Sequence, residues 1–342
     1  MIKLKKIIIS RTDSIGDVVL TLPMVGVMRS LFPASWLMFL GNTYTKPVIE
    51  ACSHINTFLN WDEIKEKSKY EQIAFLKSQK ADAIFHVFPE REIAFLAKHA
   101  KIPYRIGTNR RWYHFFTCNK TVSFTRKHSS LHETQLNLKL LSAIGHHKHY
   151  DLNKISGFYG LNKIKPLHRE FSSLLSGKKF NLVLHPKSKG SAKEWGFKNF
   201  AKLIELLPED RFNLLITGTR EEGHLLKGNL PFEKSHVYNL TGKLRLEELI
   251  GLLSAIDGLI GASTGPLHLA SALGKHAIGL YSPMRPIHPG RWSPIGPHVK
   301  TLVFDENCKS CMQKKDCNCI EKIPPENVAQ YLKSLDKLVY FR

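Results

Sequence analysis

No apolar run in this chain approaches the roughly 20 residues that a bilayer-spanning helix needs, so no transmembrane helix is expected. Near the N-terminus Lys3, Lys5 and Lys6 precede Ile7 to Ile9, but Arg11 and Asp13 interrupt the apolar run too soon for the hydrophobic region of a secretory signal. The chain is therefore read as cytoplasmic, with peripheral membrane contact left open. Acidic side chains are also scarce: 29 Asp and Glu stand against 50 Lys and Arg, a formal charge of +21. Such an excess attracts polyanions, whether nucleic acid, an anionic membrane or a phosphorylated substrate, or it simply solvates the surface. The basic residues are spread widely, with one short cluster near 105 to 127 and no interleaved aromatic platforms, so no nucleic-acid partner is expected.

Cysteine is limited to six residues, four of them crowded together as Cys308, Cys311, Cys317 and Cys319. In a chain without an export signal this points to a reduced cluster or a metal site rather than a disulfide framework. The spacing is tight for a zinc ribbon, which has a longer loop between its ligand pairs. No metal and no cofactor is assigned from it.

What is present is an ordinary globular composition, 43% hydrophobic and 23% charged over 342 residues, enough for about two domains. Strand and helix periods alternate through both halves. In the first half, strands are predicted at 6–10, 36–40, 81–88 and 104–106. Helices are predicted at 17–31, around 64–77, at 90–99 and at 132–144, the last ending at Gly145. Between about 146 and 178 the pattern breaks into a linker. It then restarts with strands at 180–184, 212–217, 237–240, 258–260 and 277–281. Helices are predicted at 197–207, 222–226, 246–256 and 264–273, and a last one from about 325 to 338 follows the cysteines. The division is placed at 1–165 and 166–342, the last helix being free to pack back on the N-terminal domain. Two such α/β domains make a cleft the natural ligand site.

Two strand-to-helix junctions containing glycine carry the chemistry. In the first, Asp17 follows Gly16 at a helix start, where backbone N–H groups favour an ionised carboxylate that could serve as a general base. A plain helix cap explains it as well, and Asp13 is a rival acid. In the second, Thr264 and Gly265 open a helix whose N–H groups suit a phosphate, with His268 one turn on. The lysine- and serine-rich loop from His185 to Lys193, also at a strand end, adds to a diphosphate-binding reading.

Together these segments resemble glycosyltransferase family nine, the heptosyltransferases of lipopolysaccharide core assembly. The resemblance rests on ISRTDSIGDVVLTLPMVGVMRSLFP, HPKSKGSAKEWGFKNFAKLIELL and GASTGPLHLASALGKHAIGLYSP, with RIGTNRR and HETQLNLKLLSAIG between them. It implies a GT-B fold: α/β, two Rossmann-like parallel-sheet domains facing a cleft, the N-terminal one receiving the acceptor and the C-terminal one binding the nucleotide sugar. It also implies an inverting, metal-independent displacement in which Asp17 deprotonates the acceptor hydroxyl. Lys193 would neutralise the diphosphate, Ser188 would contact phosphate, and Thr264, Gly265 and His268 would form the donor-binding turn. Glu222, near the strand end at Gly218, is added as a donor contact. Heptosyltransferases carry an acid where this chain has Ser263, and a hydroxyl cannot replace a carboxylate's charge, so the donor sugar stays open, with ADP-heptose favoured. A phosphorylated glycolipid acceptor at the cytoplasmic face of the inner membrane would be met by Arg105, Arg110, Arg111 and Lys127. The alternatives are another nucleotide sugar, or a GT-B-shaped sugar-nucleotide epimerase.

Overall fold

A computed structural model describes residues 3–126, 129–313, 315 and 317–335. The chain separates into two compact units, Met1–Lys163 and Ile164–Arg342. Each unit is built on a six-stranded, fully parallel sheet.

In the first unit the strands are β1 (Lys6–Ser10), β2 (Trp36–Gly41), β3 (Thr57–Asn60), β4 (Ala83–His86), β5 (Tyr104–Thr108) and β6 (Lys120–Val122), in the order β3-β2-β1-β4-β5-β6. In the second they are β7 (Phe180–His185), β8 (Phe212–Ile216), β9 (Val237–Asn239), β10 (Gly258–Gly261), β11 (His276–Tyr281) and β12 (Val299–Val303), in the order β12-β11-β10-β7-β8-β9. Both sheets are thus wound outward in two directions from a central pair, β1 with β4 and β7 with β10. The loops that leave the carboxyl ends of such a pair diverge and open a crevice for ligand.

The central strands read as continuous apolar runs because helices cover both faces of a parallel sheet. Ile7, Ile8 and Ile9 are each fully buried, as are Leu182, Val183 and Leu184 in β7. Burying one such side chain is worth roughly 1.5–3 kcal/mol. The core of the second unit extends to its last helix, Pro325–Leu335, where Val328, Ala329, Leu332 and Leu335 join Leu203 and Ile204. The apolar face of that helix is therefore spent within its own unit.

One local departure from periodicity positions the first junction. The single helix expected over 17–31 is two, Ile15–Val19 and Leu22–Leu31. Pro23 has no N–H to give the carbonyl of Val19, and its ring crowds that carbonyl, so the first helix stops and a second restarts with proline in its opening turn. The Thr21 hydroxyl donates to the Asp17 carbonyl at 2.9 Å and closes the break.

Candidate functional site

At the end of β1 the chain turns through Arg11, Thr12 and Asp13 into the helix that carries Asp17. Arg11 is 3% exposed and its guanidinium organises the junction. Its Nε and Nη2 donate to the two oxygens of Asp13 at 2.7 and 2.9 Å, a paired geometry that fixes both groups. Nη2 also reaches Asp17 Oδ1, and Nη1 lies 3.3 Å from both Glu133 Oε1 and Asn137 Oδ1. Arg126 makes a second ion pair with Glu133. Asp13, Asp17 and Glu133 are thus gathered around two guanidiniums. Burial, opposed by Arg11 and reinforced by Asp17, pushes the Asp13 carboxyl up to about 6.

Asp17 does not cap its helix. Ser14 occupies the N-cap position, and the Ser14 hydroxyl donates to Asp17 Oδ2 at 2.5 Å. Each oxygen of the carboxylate is therefore held by one side chain, with 17% of the side-chain surface open to solvent. Asp13 is bound more tightly into the structure, because the Tyr44 hydroxyl also donates to its carbonyl at 2.6 Å. Sequence reasoning missed Arg11, Arg126, Glu133 and Asn137 as members of this site. Glu133 and Asn137 lie more than a hundred residues from Arg11, and only tertiary folding brings them together.

In the second unit the junctions at His185 and Gly261 prove to be neighbours. β7 and β10 pair in parallel with Gly261 opposite His185, so both loops leave the same central point of the sheet. A Cβ on Gly261 would come 3.0 Å from the His185 carbonyl, a close approach that favours glycine there. The loops touch again where Ser191 Oγ lies 3.5 Å from the Ser263 carbonyl.

Thr264 is the N-cap of the helix Gly265–Ala272. Threonine at that position ordinarily bonds the N–H of the second or third helical residue. Here the second residue is Pro266, which has no N–H, and the Thr264 side chain makes no capping bond. Its hydroxyl oxygen is buried with no hydrogen-bond partner among the described residues. A buried, unsatisfied hydroxyl costs about 1–3 kcal/mol, and it sits beside N–H groups that begin a helix. That combination suits an anionic oxygen brought by a ligand. His268, one turn on, is 2% exposed.

The opposing loop turns through Lys189 (φ 49°) and Gly190 (φ 77°), presenting Lys193 half-buried. Ser188 is mostly buried. Its N–H donates to Glu194 Oε1 at 2.9 Å, and its Oγ lies 2.9 Å from the Ala192 carbonyl and 3.0 Å from Glu194 Oε1. Lys187 is paired with the other oxygen of Glu194. Glu194 is thus the brace of the loop, a role the sequence did not single out. Ser263 stands beside the buried Tyr281 hydroxyl, whose pKa burial drives upward.

Other expected site residues have local duties. Glu222 forms a capping box with Thr219: its N–H donates to Thr219 Oγ1 at 3.2 Å, and its Oε2 accepts from the Thr219 N–H at 2.8 Å. The T-x-x-E spacing before an apolar turn carried that signal. The Arg105 guanidinium donates from Nε to the Thr117 carbonyl at 2.7 Å and from Nη1 to that of Ile102, so it ties β5 to its following segment. Arg110 and Arg111 are exposed, and Lys127 lies outside the described residues. Beside those arginines, contrary to the expectation of no interleaved aromatics, Trp112, Phe115 and Phe116 stand 59%, 67% and 64% exposed. Their period looks like a core helix, and only the fold shows that they face outward.

Known proteins share this architecture. A sequence model of glycosyltransferase family 9 (heptosyltransferase) matches residues 73–320. Lipopolysaccharide heptosyltransferase 3 of Escherichia coli K12 is 23% identical over 280 residues, covering 78% of this chain and 79% of its own. The solved E. coli ADP-heptose lipopolysaccharide heptosyltransferase II superposes with a TM-score of 0.74 at 17% identity, over 98% of this chain and 99% of that one. The E. coli heptosyltransferase WaaC, solved with ADP-2-deoxy-2-fluoro heptose, does so with a TM-score of 0.71 at 15% identity, over 96% and 99%. With a family match across well over half its length and a fold that superposes on those structures over nearly the whole chain, this chain belongs to glycosyltransferase family 9 and is a glycosyltransferase of the heptosyltransferase type.

Proposed function

We propose that the protein is an inverting transferase that moves heptose from ADP-heptose to a hydroxyl of a phosphorylated glycolipid of the lipopolysaccharide core or lipid A type. In this reading Asp17 accepts the proton of the attacking hydroxyl. As the new C–O bond forms at the anomeric carbon, the bond to the diphosphate breaks and ADP leaves with the electron pair. Arg11 and Ser14 hold the Asp17 carboxylate in a single orientation, and Asp13 and Glu133 hold Arg11. The charge that grows on the diphosphate is met by the N–H groups that open the helix at Gly265, by the Thr264 hydroxyl, and by Lys193 with Ser188 on the adjoining loop. Stabilising that charge is the largest demand of the reaction.

The observation that carries this reading is the convergence of the His185–Lys193 and Ala262–Gly265 loops at the β7/β10 pair, with the buried Thr264 hydroxyl unmet there. Adenine and heptose are supported by the WaaC structure, which holds an ADP-heptose analogue. Ser263 favours a second reading, a different sugar on the same nucleotide diphosphate, because a hydroxyl rather than a carboxylate borders the donor turn. His268 lines that turn, whereas Glu222 serves it indirectly by fixing the strand end at Gly218. Arg110 and Arg111, with Trp112, Phe115 and Phe116, supply the contact with an anionic membrane surface where the acceptor resides, Lys127 being added on the charge of the segment alone.

A thermal-shift panel of nucleotide sugars tests the donor. ADP-heptose and ADP are expected to raise the melting temperature, UDP- and GDP-sugars not. Stabilisation by a UDP- or GDP-sugar alone would remove the donor assignment.

A further inference from the structure

We propose that Cys308, Cys311, Cys317 and Cys319 form a four-thiolate site for one divalent transition-metal ion, zinc or ferrous iron, which staples the segment between β12 and the last helix. The site is separate from the transfer chemistry and does not rest on the reaction proposed above. All four Sγ atoms lie within 4.8 Å of one another, with Cys308 and Cys317 at 3.6 Å. A metal–sulfur distance of about 2.3 Å places the sulfurs of a regular tetrahedron about 3.8 Å apart, so the four already surround one point at nearly the required spacing. Two disulfides would need only two close pairs at about 2.05 Å and would give no reason for mutual convergence. A set made of sulfur alone in this arrangement selects zinc or iron over harder cations.

The short spacing that argued against a zinc ribbon is resolved by the backbone. Cys308 caps a single helical turn, Lys309–Met312, which brings Cys311 back beside it. The chain then folds on itself, with the Met312 N–H donating to the Cys308 carbonyl and the Lys315 N–H to that of Ser310, both at 3.0 Å. The five residues between the two pairs are therefore enough. Cys311 and Cys319 are buried, while Cys308 and Cys317 are half-buried. Four thiolates and a divalent ion leave two negative charges, which Lys309, Lys315 and Lys322 in the same segment offset.

The segment needs such a staple. Phe304 and Met312 are both more than half exposed, so little apolar burial holds residues 304–319 in place. The staple also steadies the chain beyond it. Directly after Cys319, Ile320 and Ile323 enter the core of the second unit, and the Ile323 carbonyl accepts from Trp195 Nε1 at 2.9 Å. Asn199 Nδ2 reaches the Glu321 carbonyl at 2.7 Å. Trp195 lies two residues beyond Lys193, so the ion supports the base of the His185–Lys193 loop without touching ligand.

The test is the metal content of the untagged full-length protein, purified without chelator from cells supplied with both zinc and iron, read by inductively coupled plasma mass spectrometry. About one ion per chain is expected, zinc giving a colourless protein and iron a visible sulfur-to-metal absorption band once air oxidises it to the ferric state. Cobalt exchange should give the spectrum of a tetrahedral four-sulfur site. Cys317→Ser, at a half-exposed position and with its fold checked by circular dichroism, should lose the ion and melt lower, and chelation of the wild type should lower its melting temperature likewise. Wild-type protein with no bound metal, an intact mass showing two disulfides, or Cys317→Ser with undiminished metal would each overturn the proposal.

Discussion

Asp17 and Asp13 share one guanidinium, and they differ in what surrounds them. Asp13 is held on both oxygens by Arg11, whereas Asp17 receives one bond from Arg11 and one from a serine hydroxyl. Residue types and spacing alone do not rank the two acids; only the family resemblance does. Geometry leaves the two close, since each has both oxygens hydrogen-bonded and the side chains are 20% and 17% exposed, so the proposal of Asp17 as the base rests on the resemblance. Thr264 is the matching case on the donor side, and its test separates two roles. Thr264→Val removes a hydroxyl with no protein partner among the described residues, so the melting temperature of the free protein should stay or rise. Affinity for the nucleotide sugar should fall about tenfold, the loss of one hydrogen bond of roughly 1.4 kcal/mol. Isothermal titration reads the affinity and thermal unfolding the stability. Unchanged affinity with lowered stability would assign Thr264 to structure alone.

At the scale of elements, long periodic segments are legible in the sequence and edges are not. The strands expected at 6–10, 36–40, 180–184 and 212–217 stand almost as read, because residues buried on both faces give unbroken apolar runs. β3, β6 and β12 carry no such run. Each lies at the edge of its sheet, where one side of the strand meets solvent and polar residues are admitted. The expected helix over 17–31 is too long because the 3.6-residue period continues through Pro23, although proline forbids the hydrogen bond that would join the halves. Glu222 shows the same limit at a helix start, where a capping box and a ligand contact share one sequence signature. Glu222→Ala should lower stability by about 1 kcal/mol, the usual worth of such a cap, and leave the Michaelis constant for donor within about twofold. Thermal unfolding and initial-rate kinetics check it, and a tenfold rise in that constant at unchanged stability would make Glu222 a donor contact after all.

For the molecule as a whole, the two sheets repeat one winding, as the alternating periods in both halves predict, while the loops that this winding brings together are not legible in those periods. The His185–Lys193 and Ala262–Gly265 loops are some seventy residues apart in the chain, and only the β7/β10 pairing makes them one site. The large positive charge is legible at once, but its use is not, since the decisive companions of Arg110 and Arg111 are the outward-facing Trp112, Phe115 and Phe116. Aromatic and cationic side chains on one patch suit the boundary between lipid headgroups and chains. Replacing all three aromatics by alanine should sharply reduce cosedimentation with phosphatidylglycerol-containing vesicles. Arg110→Gln with Arg111→Gln should remove the salt-sensitive part of binding, about 1 kcal/mol per residue. Vesicle binding equal to wild type in both variants would separate this patch from the membrane.

The central claim is that Asp17 takes the proton of the acceptor hydroxyl while a separate unit holds the leaving diphosphate. The most direct measurement is kcat for sugar transfer as a function of pH in the wild type and in Asp17→Asn. In the wild type, kcat should fall as pH drops through about 6, where Asp13 takes up a proton and the charge arranged around Arg11 beside Asp17 changes. Asp17→Asn should lose at least about 100-fold in kcat at neutral pH while still binding the nucleotide sugar, as expected for removal of a general base. Turnover in Asp17→Asn within a few-fold of wild type, with the same acid limb, would contradict the account.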